Sequence, residues 1–320
     1  MKVLVGHHND NWCAAFTSRG MAPHSRHNVT TMRMSGLNPA KIEWDDYDVV
    51  YLHSSRLCRN GVKWKNDHSL SSSTVWVTSV RGWPAYKRYH AYWKHYDGLS
   101  VPNERLSRMV PNHPKSPYDG YVGVCHQGVD PEIFKPMPEL RAEEFTIIWG
   151  GNPRRSSKRY EMFLDLPYQK KAAGPYVESH SGGCKCGRLY EHDTELPMFY
   201  NLGWLYVQPA RNDAFSACPL EAAFCGVPVV GFTGLAARGG NGIEEYIPSR
   251  FRPQTHSIKG DENDRKALIA VIEELKNDDD LREHYADTLR GIVVSRFSHE
   301  KVAKEYDELF ERSVEMSRMR

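Results

Sequence analysis

Residues 211–232, "RNDAFSACPLEAAFCGVPVVGF", contain the start and the end of a helix followed by a strand. Pro219 lies where the first helical turn tolerates proline, and Gly226 suits the position just past a helix end. The apolar residues that follow are typical of a buried strand. These signals for helix ends and a strand do not explain why two carboxylates, Asp213 and Glu221, lie eight residues apart around the helix start.

Short apolar segments bounded by turn residues recur along the chain. Most are rich in Val, Ile, Leu and aromatic residues without strict alternation, which predicts strands buried on both faces. They are residues 2–6, 47–53, 73–80, 97–102, 121–127, 145–151, 174–180, 203–209 and 226–232. Helix-like stretches lie between several of them, at 83–96, 103–110, 158–165 and 218–225. The alternation predicts an α/β protein with doubly wound parallel sheets.

The segment "GVDPEIFKPMPELRAEE" (128–144) separates two series of strands and contains three prolines and a run of charges, which indicates an interdomain linker. We therefore predict two Rossmann-like domains, residues 1–138 and 139–296. They would face a central cleft at the carboxyl ends of their strands, where open α/β sheets bind ligands. Residues 262–318 are predicted to be helical because apolar residues recur every three or four positions. The last helix, 297–320, is expected to pack back towards the N-terminal domain.

The composition of the 320 residues, 40% hydrophobic and 26% charged, is that of an ordinary globular protein. No apolar run has the length of a membrane span, and the apolar stretch in "MKVLVGHHND" is too short for a signal peptide. The seven cysteines are odd in number and scattered, which favours reduced thiols. We therefore expect a cytoplasmic protein without a transmembrane segment, or one in the host cytoplasm if the chain is of phage origin.

The charge is unevenly distributed along the chain. Residues 1–140 hold 17 Lys and Arg against 12 Asp and Glu, a balance of +5, whereas the remainder has a balance of −3. Ten of the 15 histidines also lie in residues 1–140. A basic N-terminal half favours an anionic partner.

Four motifs, in this order along the chain, resemble those of family 4-like glycosyltransferases, which have the GT-B fold. They are "GVDPEIFKP" (128–136), like the segment that joins the two domains; "IIWGGNPRRSSKR" (147–159), a strand, a glycine turn and basic residues; "ELPMFYNLGWLYVQPAR" (195–211), a helix and a strand; and the acidic motif "DAFSACPLEAAFCGVPVV" (213–230). The acidic motif has two carboxylates separated by seven residues. The resemblance covers about residues 128–250 and reaches the N-terminal domain only through the strand pattern.

The resemblance implies a nucleotide-diphosphate sugar as donor, above all a UDP-sugar. Glu221 would hold the ribose hydroxyls, for which an acceptor-only carboxylate is suited; its apolar and small neighbours argue against a solvent-facing helix residue. Asp213 would contact the sugar as a catalytic residue, and the family usually has Glu there, which leaves the identity of the sugar open. Phe215, Ser216 and Ala217 would present backbone amides to the distal phosphate and sugar at the helix start.

Phosphates are bound by glycine amides, helix N-termini and cationic side chains. Gly150 and Gly151 follow a predicted strand and would let the backbone approach the donor. The resemblance implies Arg154 and Lys158 as phosphate ligands, with Arg155 as a substitute because the spacing departs by about two residues from that of the family. The alternative is a solvated basic loop.

The N-terminal domain departs from the family pattern. Many members have a glycine-rich acceptor loop after the first strand, where this chain has "GHHNDNW" (6–12). His7 and His8 would contact phosphate or acceptor, or would cap the following helix together with their neighbours. Where the family places a strand-end histidine near the sugar, this chain has Arg81, which can stabilise a leaving phosphate but cannot act as a base. His53, at the end of another strand, is a second catalytic candidate.

The stretch "GWPAYKRYHAYWKHYDG" (82–98) mixes aromatic and basic residues. If it is helical, four aromatic side chains share one face, as in a stripe packed on a sheet; these are Tyr86, Tyr89, Trp93 and Tyr96. The alternative is a basic-aromatic surface for DNA or an anionic membrane, to which Lys87, Arg88 and Lys94 would contribute on the acceptor side.

Three further segments carry weaker signals. The segment "HSGGCKCG" (180–187) has one His and two Cys but lacks a fourth ligand and regular zinc spacing, and "DDYD" (45–48) is interpreted as charge before a strand. The glycine-rich "TGLAARGGNGIEEYIP" (233–248), with Glu244 or Glu245 at a turn known from the family, would close over the donor or form a plain surface loop. We expect no metal, because the resemblance implies that cationic side chains and a helix start take the leaving diphosphate.

Together these features predict a glycosyltransferase that moves a sugar from a nucleotide-diphosphate sugar to an acceptor hydroxyl with retention. Catalysis would consist of positioning and of charge stabilisation on the departing diphosphate. The acceptor would be a polyanion such as DNA with hydroxymethylated bases, a lipid or a glycan. The alternatives are a nucleotide-sugar epimerase of the same fold and a sugar-nucleotide-binding protein without transfer activity, the latter because the strand-end histidine is replaced.

Overall fold

The computed structural model describes residues 1–10, 13–67, 73–177, 187–188, 191–234, 240–255 and 262–320. These residues form two compact units. One consists of Met1–Gly128 with Phe297–Arg320, and the other of Val129–Arg296. The His and Cys residues of the motif at 180–187 and the middle of the loop 233–248 lie outside the described residues.

In the first unit the described residues form a six-stranded sheet in which every pairing is parallel. Its strand order is β2-β1-β3-β4-β5-β6, with β1 at Lys2–His7, β2 at Asn28–Arg33, β3 at Val49–Leu52, β4 at Val75–Ser79, β5 at Gly98–Val101 and β6 at Tyr121–Val124. The helices of this part are α1 at Cys13–Met21, α2 at Cys58–Asp67, α3 at Trp83–Tyr89 and α4 at Glu104–Met109. Strands β3, β4 and β5 are buried throughout, as expected for strands covered on both faces.

The described residues of the second unit form a five-stranded parallel sheet. Its strand order is β11-β10-β7-β8-β9, with β7 at Thr146–Gly150, β8 at Gln169–Ala173, β9 at Gly187–Arg188, β10 at Leu205–Gln208 and β11 at Val229–Gly231. The helices from this part of the chain are α5 at Tyr160–Leu164, α6 at Glu195–Asn201, α7 at Ala217–Phe224, α8 at Glu262–Asn277 and α9 at Asp279–Phe297. Two α/β units with parallel sheets and C-terminal helices confirm the predicted fold class.

The last helix, α10 (His299–Met319), packs on the sheet of the first unit. Its buried apolar residues lie three or four positions apart and therefore on one face; they include Val302, Tyr306, Leu309 and Phe310. They join a core that contains residues of β1, β3 and β4. Burying each large apolar side chain contributes about 1.5–3 kcal/mol, so this helix is part of the core of the first unit.

Short 3₁₀ helices lie between the main elements, at Ala22–His24, Pro39–Lys41, Trp44–Asp46, His90–His95, Pro138–Leu140, Ser156–Lys158, Gly242–Glu245 and Ser249–Phe251. The acidic stretch 45–48 coincides with the 3₁₀ turn before β3, where Asp48 accepts the backbone N–H of Lys2 at 2.7 Å. Within the part of the chain described, no helix combines the length and the apolar character that crossing a membrane requires.

Three of the described strands, β2, β8 and β9, do not follow the apolar pattern. The strand predicted at 174–180 is wrong over 174–177, because β8 lies at Gln169–Ala173, and residues 178–180 lie outside the described part of the chain. The sequence of β8, "QKKAA", contains two lysines, and Lys170 donates to the carbonyl oxygens of Leu164 and Leu166 at 2.8 and 2.6 Å. Strand β2 was not predicted at all. It lies at the sheet edge and is only half-buried, so its sequence carries no continuous apolar run.

The helix predicted at 83–96 is broken. Helix α3 ends at Tyr89, and the chain continues as the 3₁₀ helix His90–His95. The aromatic residues Tyr86, Trp93 and Tyr96 are buried, with the Tyr86 and Trp93 rings 5.8 Å apart. These three side chains pack inside the first unit, as expected if the aromatic residues form a stripe packed on the sheet. The basic residues Lys87, Arg88 and Lys94 are exposed.

Candidate functional site

The start of α7 is the centre of the candidate site. Ser216 occupies the N-cap position with an extended backbone (φ −98°, ψ 127°), but its side chain makes no capping hydrogen bond. Its hydroxyl instead accepts a hydrogen bond from Lys158 Nζ at 3.1 Å. Because the first-turn N–H groups of a helix, here those from Ala217 onwards, have no partner within the helix, this end favours anions.

Lys158 joins this helix start to the first carboxylate of the acidic motif. Its Nζ donates to Asp213 Oδ2, and Gln208 Nε2 donates to the same oxygen at 3.1 Å. The side chains of Lys158 and Asp213 are only 10% and 17% exposed. Lys158 ends the 3₁₀ helix Ser156–Lys158, which orients it towards Asp213, and Gln208 ends strand β10. The site thus combines a shielded ammonium, a carboxylate and a helix N-terminus.

The two neighbouring arginines have a different environment. Arg154 and Arg155 are exposed, and the Arg154 guanidinium lies 3.6 Å from the centroid of the Tyr176 ring. Of the three cations predicted for the phosphates, only Lys158 contacts Asp213 in the structure. The arginines remain predictions as phosphate ligands.

The glycines after β7 serve internal contacts. The Gly150 N–H donates to the hydroxyl of Tyr206 at 3.0 Å, and that hydroxyl donates back to the Gly150 carbonyl at 3.1 Å. The Gly151 N–H donates to the Ala173 carbonyl at 2.9 Å. Both N–H groups are therefore used inside the protein, and the close approach of this backbone to a donor stays a prediction. A Cβ at Gly150 would lie 3.0 Å from Cys218 Cβ, so this glycine lets α7 pack closely on β7.

Glu221, the second carboxylate of the motif, is buried with 5% of its side chain exposed. Its Oε2 accepts a hydrogen bond from the Tyr200 hydroxyl at 2.7 Å, and its Oε1 lies 3.3 Å from His192 Nε2. The solvent-facing alternative for Glu221 is therefore wrong. A carboxylate accepts about four hydrogen bonds, so both oxygens retain capacity for a ligand.

His192 is a residue that the sequence analysis missed. Its Nδ1 lies 2.5 Å from Asp193 Oδ1 and its Nε2 faces Glu221, and since carboxylates only accept, the imidazolium satisfies both contacts. Burial by itself lowers the pKa of His192, but the hydrogen bonds and charges of Glu221 and Asp193 outweigh it and raise the pKa above 6.5. The Phe134 ring stands edge-on to the imidazole at 5.2 Å. No spacing in the sequence relates position 192 to position 221.

The described part of the loop 233–248 is held against the acidic motif. The Gly242 N–H donates to the Asp213 carbonyl at 2.7 Å, and Asn241 Nδ2 donates to the Ala210 carbonyl at 3.0 Å. Glu244 Oε1 accepts the N–H groups of Gly234 and Asn241 at 2.9 and 2.8 Å. The Glu244 carboxylate therefore caps this loop. Phe215 is buried, with its ring 6.2 Å from that of Tyr246.

In the first unit, the two catalytic candidates contact each other. His53 is fully buried, its Nε2 lies 3.1 Å from Arg81 Nη1, and its Nδ1 lies 2.7 Å from the Ser18 hydroxyl. Burial, together with the charges of Arg81 and His7, holds the pKa of His53 well below 6.5. Both ring nitrogens of His53 are thus engaged inside the protein, and its role as a catalytic residue stays a prediction.

His7 and His8 lie at and just after the end of β1. His7 is buried, and its Nε2 lies 2.8 Å from Asp10 Oδ1. Its predicted contact with phosphate or acceptor stays a prediction. The pKa of His8 is lowered by burial and then by the charges of Arg56 and Arg33. Among the described residues, no cluster of three or more His, Cys, Asp or Glu side chains is arranged to hold a metal ion.

Comparisons with known proteins give similarity of structure at low sequence identity. No protein-family model matches the chain, and no curated protein matches its sequence. HepE of Anabaena, solved in complex with UDP-glucose, matches with a TM-score of 0.73 at 12% identity, over 97% of this chain and 99% of HepE. Sucrose-phosphate synthase from Thermosynechococcus elongatus matches with a TM-score of 0.71 at 12% identity, over 97% of this chain and 98% of that one. A glycosyltransferase from Rickettsia africae matches with a TM-score of 0.66 at 11% identity, over 98% of both chains. The chain therefore shares the two-domain GT-B fold of these glycosyltransferases over nearly its whole length.

Proposed function

We propose that this protein is a glycosyltransferase that uses a nucleotide-diphosphate sugar, with UDP-glucose as the first donor to test. The observation that carries the proposal is the shielded contact of Lys158 with Asp213 and Ser216 at the start of α7, with Glu221 on the same helix. The solved complexes of HepE with UDP-glucose and with UDP and glucose support the choice of donor. The order of the four sequence motifs supports a place among the family 4-like enzymes.

Each residue has a role that follows from its chemistry. Glu221 accepts hydrogen bonds from the ribose diol, and Tyr200 and His192 hold its carboxylate in one orientation. Lys158 binds a diphosphate oxygen, because an ammonium at a helix N-terminus is a strong anion site. Asp213, released from Lys158 by that phosphate, accepts hydrogen bonds from the sugar hydroxyls.

The proposed reaction depends on positioning and on electrostatics. The bond between the sugar and the diphosphate breaks as negative charge develops on the leaving oxygen, and Lys158 with the α7 N-terminus stabilises that charge. The acceptor hydroxyl attacks the anomeric carbon, and its proton passes to the departing diphosphate oxygen, which has gained the electron pair of the broken bond. Retention of configuration is the outcome expected from the motif resemblance.

Two alternatives give different results in one assay. The protein is incubated with UDP-glucose, and UDP release is measured with and without a panel of DNA, glycan and lipid acceptors, with product mass spectrometry. Transfer requires both release of UDP and a product that is heavier by one sugar. Conversion of the sugar without an acceptor indicates the epimerase, and tight binding without turnover indicates a binding protein.

The predicted polyanion acceptor and the cytoplasmic location stay proposals. The exposed cations Lys87, Arg88 and Lys94 support a surface for DNA or an anionic membrane. Salt dependence of activity tests that surface, since phosphate contacts release counterions and a small neutral acceptor has none to release.

A further inference from the structure

Arg81 follows β4 at the carboxyl edge of the sheet in the first unit. Its Nη1 lies 3.1 Å from His53 Nε2, and the Tyr306 hydroxyl lies 3.1 Å from the same nitrogen. Its backbone N–H donates to the Ser55 hydroxyl at 3.0 Å. Its Nη2 is shielded from solvent and has no hydrogen-bond partner among the residues that the structure describes.

The contacts of Arg81 define the protonation of His53. A guanidinium only donates, so His53 Nε2 must be the acceptor and Nδ1 must carry the proton. That proton goes to the Ser18 hydroxyl, which donates to the Ala14 carbonyl at 2.6 Å. The imidazole is therefore neutral and brings no charge to balance the arginine.

Arg81 thus carries a partly buried positive charge without a counterion. In the described parts of the chain, no carboxylate lies within 4.0 Å of its guanidinium; the ion pairs of the first unit involve other residues. An N–H group that is shielded and unpaired loses its hydration without compensation. Such an arrangement is destabilising by itself and is explained if a bound anion completes it.

The surroundings of Arg81 are also basic. Strand β2 ends at Arg33, which is paired in register with His7. Arg56 lies three residues after His53, in the connection between β3 and α2. The charges of Arg56 and Arg33 both reach His8. The nearby carboxylate, Asp10, lies against His7 at 2.8 Å and Arg33 at 3.5 Å. The carboxyl edge of this sheet therefore attracts anions.

We propose that Arg81 binds a single anionic group, a phosphate or a carboxylate, of a small acceptor molecule. The anion-binding site follows from the contacts of Arg81 alone, and only the word acceptor rests on the proposed glycosyltransferase function. A small ligand is favoured because the site has a single, partly enclosed guanidinium, which His53 and Tyr306 hold in place and which can bind one anionic group. Polyanions are bound by rows of exposed cations that follow a backbone.

Calorimetry with inorganic phosphate tests the site in the full-length protein. Saturating UDP is present, so that phosphate is excluded from the donor site. Wild type is compared with Arg81→Gln and with Arg108→Gln, which removes an exposed guanidinium from α4 as a matched control. We expect Arg81→Gln to weaken phosphate binding at least about tenfold and Arg108→Gln to match wild type. Equal phosphate affinity in all three proteins overturns the proposal.

Chemical footprinting tests the same site without a variant. Phenylglyoxal modifies guanidinium groups, and mass spectrometry locates the modified residues. Phosphate should slow the modification of Arg81 several-fold and leave Arg108 unaffected. A rate for Arg81 that phosphate does not change overturns the proposal, whatever the folding of Arg81→Gln.

Two further titrations separate this inference from the proposed function. If Arg81→Gln weakens UDP binding as strongly as phosphate binding, Arg81 serves the donor diphosphate and the acceptor assignment is overturned. If UDP does not bind wild type, the proposed function fails while the footprint still decides the anion site. Titrations with a hexose phosphate and with a hexuronate show whether the site prefers phosphate or carboxylate. If a short DNA duplex binds through Arg81 more tightly than both of these compounds, the assignment of a small ligand is overturned.

Discussion

Lys158 and Asp213 form a shielded ion pair although they are 55 residues apart in the chain. Each charge is stabilised by the other, because burial removes part of the hydration of both groups. A phosphate oxygen that binds Lys158 would free the Asp213 carboxylate for another partner. The pair thus couples the two groups that the proposed reaction needs.

The first prediction concerns turnover at this pair. Lys158→Ala should lower the turnover of UDP-glucose by about 100- to 1000-fold, because it removes the charge that stabilises the leaving diphosphate. The affinity for UDP-glucose should fall less than turnover. Steady-state kinetics and calorimetry measure the two effects. Arg154→Ala and Arg155→Ala are measured beside Lys158→Ala, because the arginines are also predicted phosphate ligands, and the variant with the largest loss of turnover identifies the cation that meets the diphosphate.

The same pair makes a prediction about stability. Lys158→Ala leaves Asp213 without its cation and should lower the free energy of unfolding by about 1–3 kcal/mol. Adding Asp213→Asn should recover most of that loss in urea denaturation but none of the turnover. Wild-type turnover in all the lysine and arginine variants would mean that the loop is a solvated surface and the pair is structural.

The second prediction concerns Glu221. Glu221→Ala should weaken UDP and UDP-glucose binding alike, on the order of 1–3 kcal/mol, because the ribose is common to both ligands. Asp213→Asn should weaken UDP-glucose more than UDP, because only the former carries the sugar. Glu283→Ala, an exposed carboxylate on α9, is the control. Unchanged UDP affinity in Glu221→Ala would exclude its contact with the ribose.

The third prediction is a pH dependence caused by His192. Its pKa in the folded protein lies above 6.5, so its contribution to stability is complete below that pH and is lost as the pH rises through the folded value. His192→Gln should therefore reduce the free energy of unfolding more at about pH 6 than at about pH 8.5. Urea denaturation at both pH values measures the difference. A deficit that does not change with pH would contradict the charged pair. When His192→Gln is made in the Glu221→Gln background, the pH trend should be smaller, because only Asp193 is left as a carboxylate partner.

The fourth prediction concerns the packing of α7 on β7. Gly150→Ala should lower the free energy of unfolding by about 1–3 kcal/mol, because the new methyl group would lie 3.0 Å from Cys218 Cβ and 3.2 Å from its Sγ. Gly291→Ala on α9 is the matched control, since its Cβ meets no described atom within 4 Å, and it should stabilise by about 0.5–1 kcal/mol. Thermal unfolding compares them, and equal stability of both variants would refute the close approach.

The fifth prediction concerns the exposed cations of residues 82–98. If the acceptor is DNA or an anionic membrane, activity should fall steeply with salt, and the triple variant Lys87→Glu, Arg88→Glu, Lys94→Glu should lose acceptor affinity without losing UDP affinity. A salt series with both proteins measures this. Activity that is flat with salt in both would eliminate the polyanion and leave the small anion at Arg81.

Several features of the protein could be predicted from the sequence because they leave a mark within a few residues. Continuous apolar runs predicted the buried strands of both sheets, since burial on two faces excludes polar alternation. Pro219 and Gly226 predicted the ends of α7 to within about one residue, because helix termini impose local backbone requirements. The same rule did not predict strands β2 and β8. Several of their residues are exposed to solvent, so their sequences contain polar residues and no continuous apolar run.

The tertiary structure alone decided which side chains meet. The sequence placed three cations near a predicted strand end, but only folding brings Lys158, and not Arg154, against Asp213. His192 reaches Glu221 from 29 residues away, and Arg81 meets His53 from 28 residues away. Spacing along the chain specifies where a residue lies on its own helix or strand. The distance between two elements depends on strand order and on the packing of helices over the sheet, which no local pattern encodes.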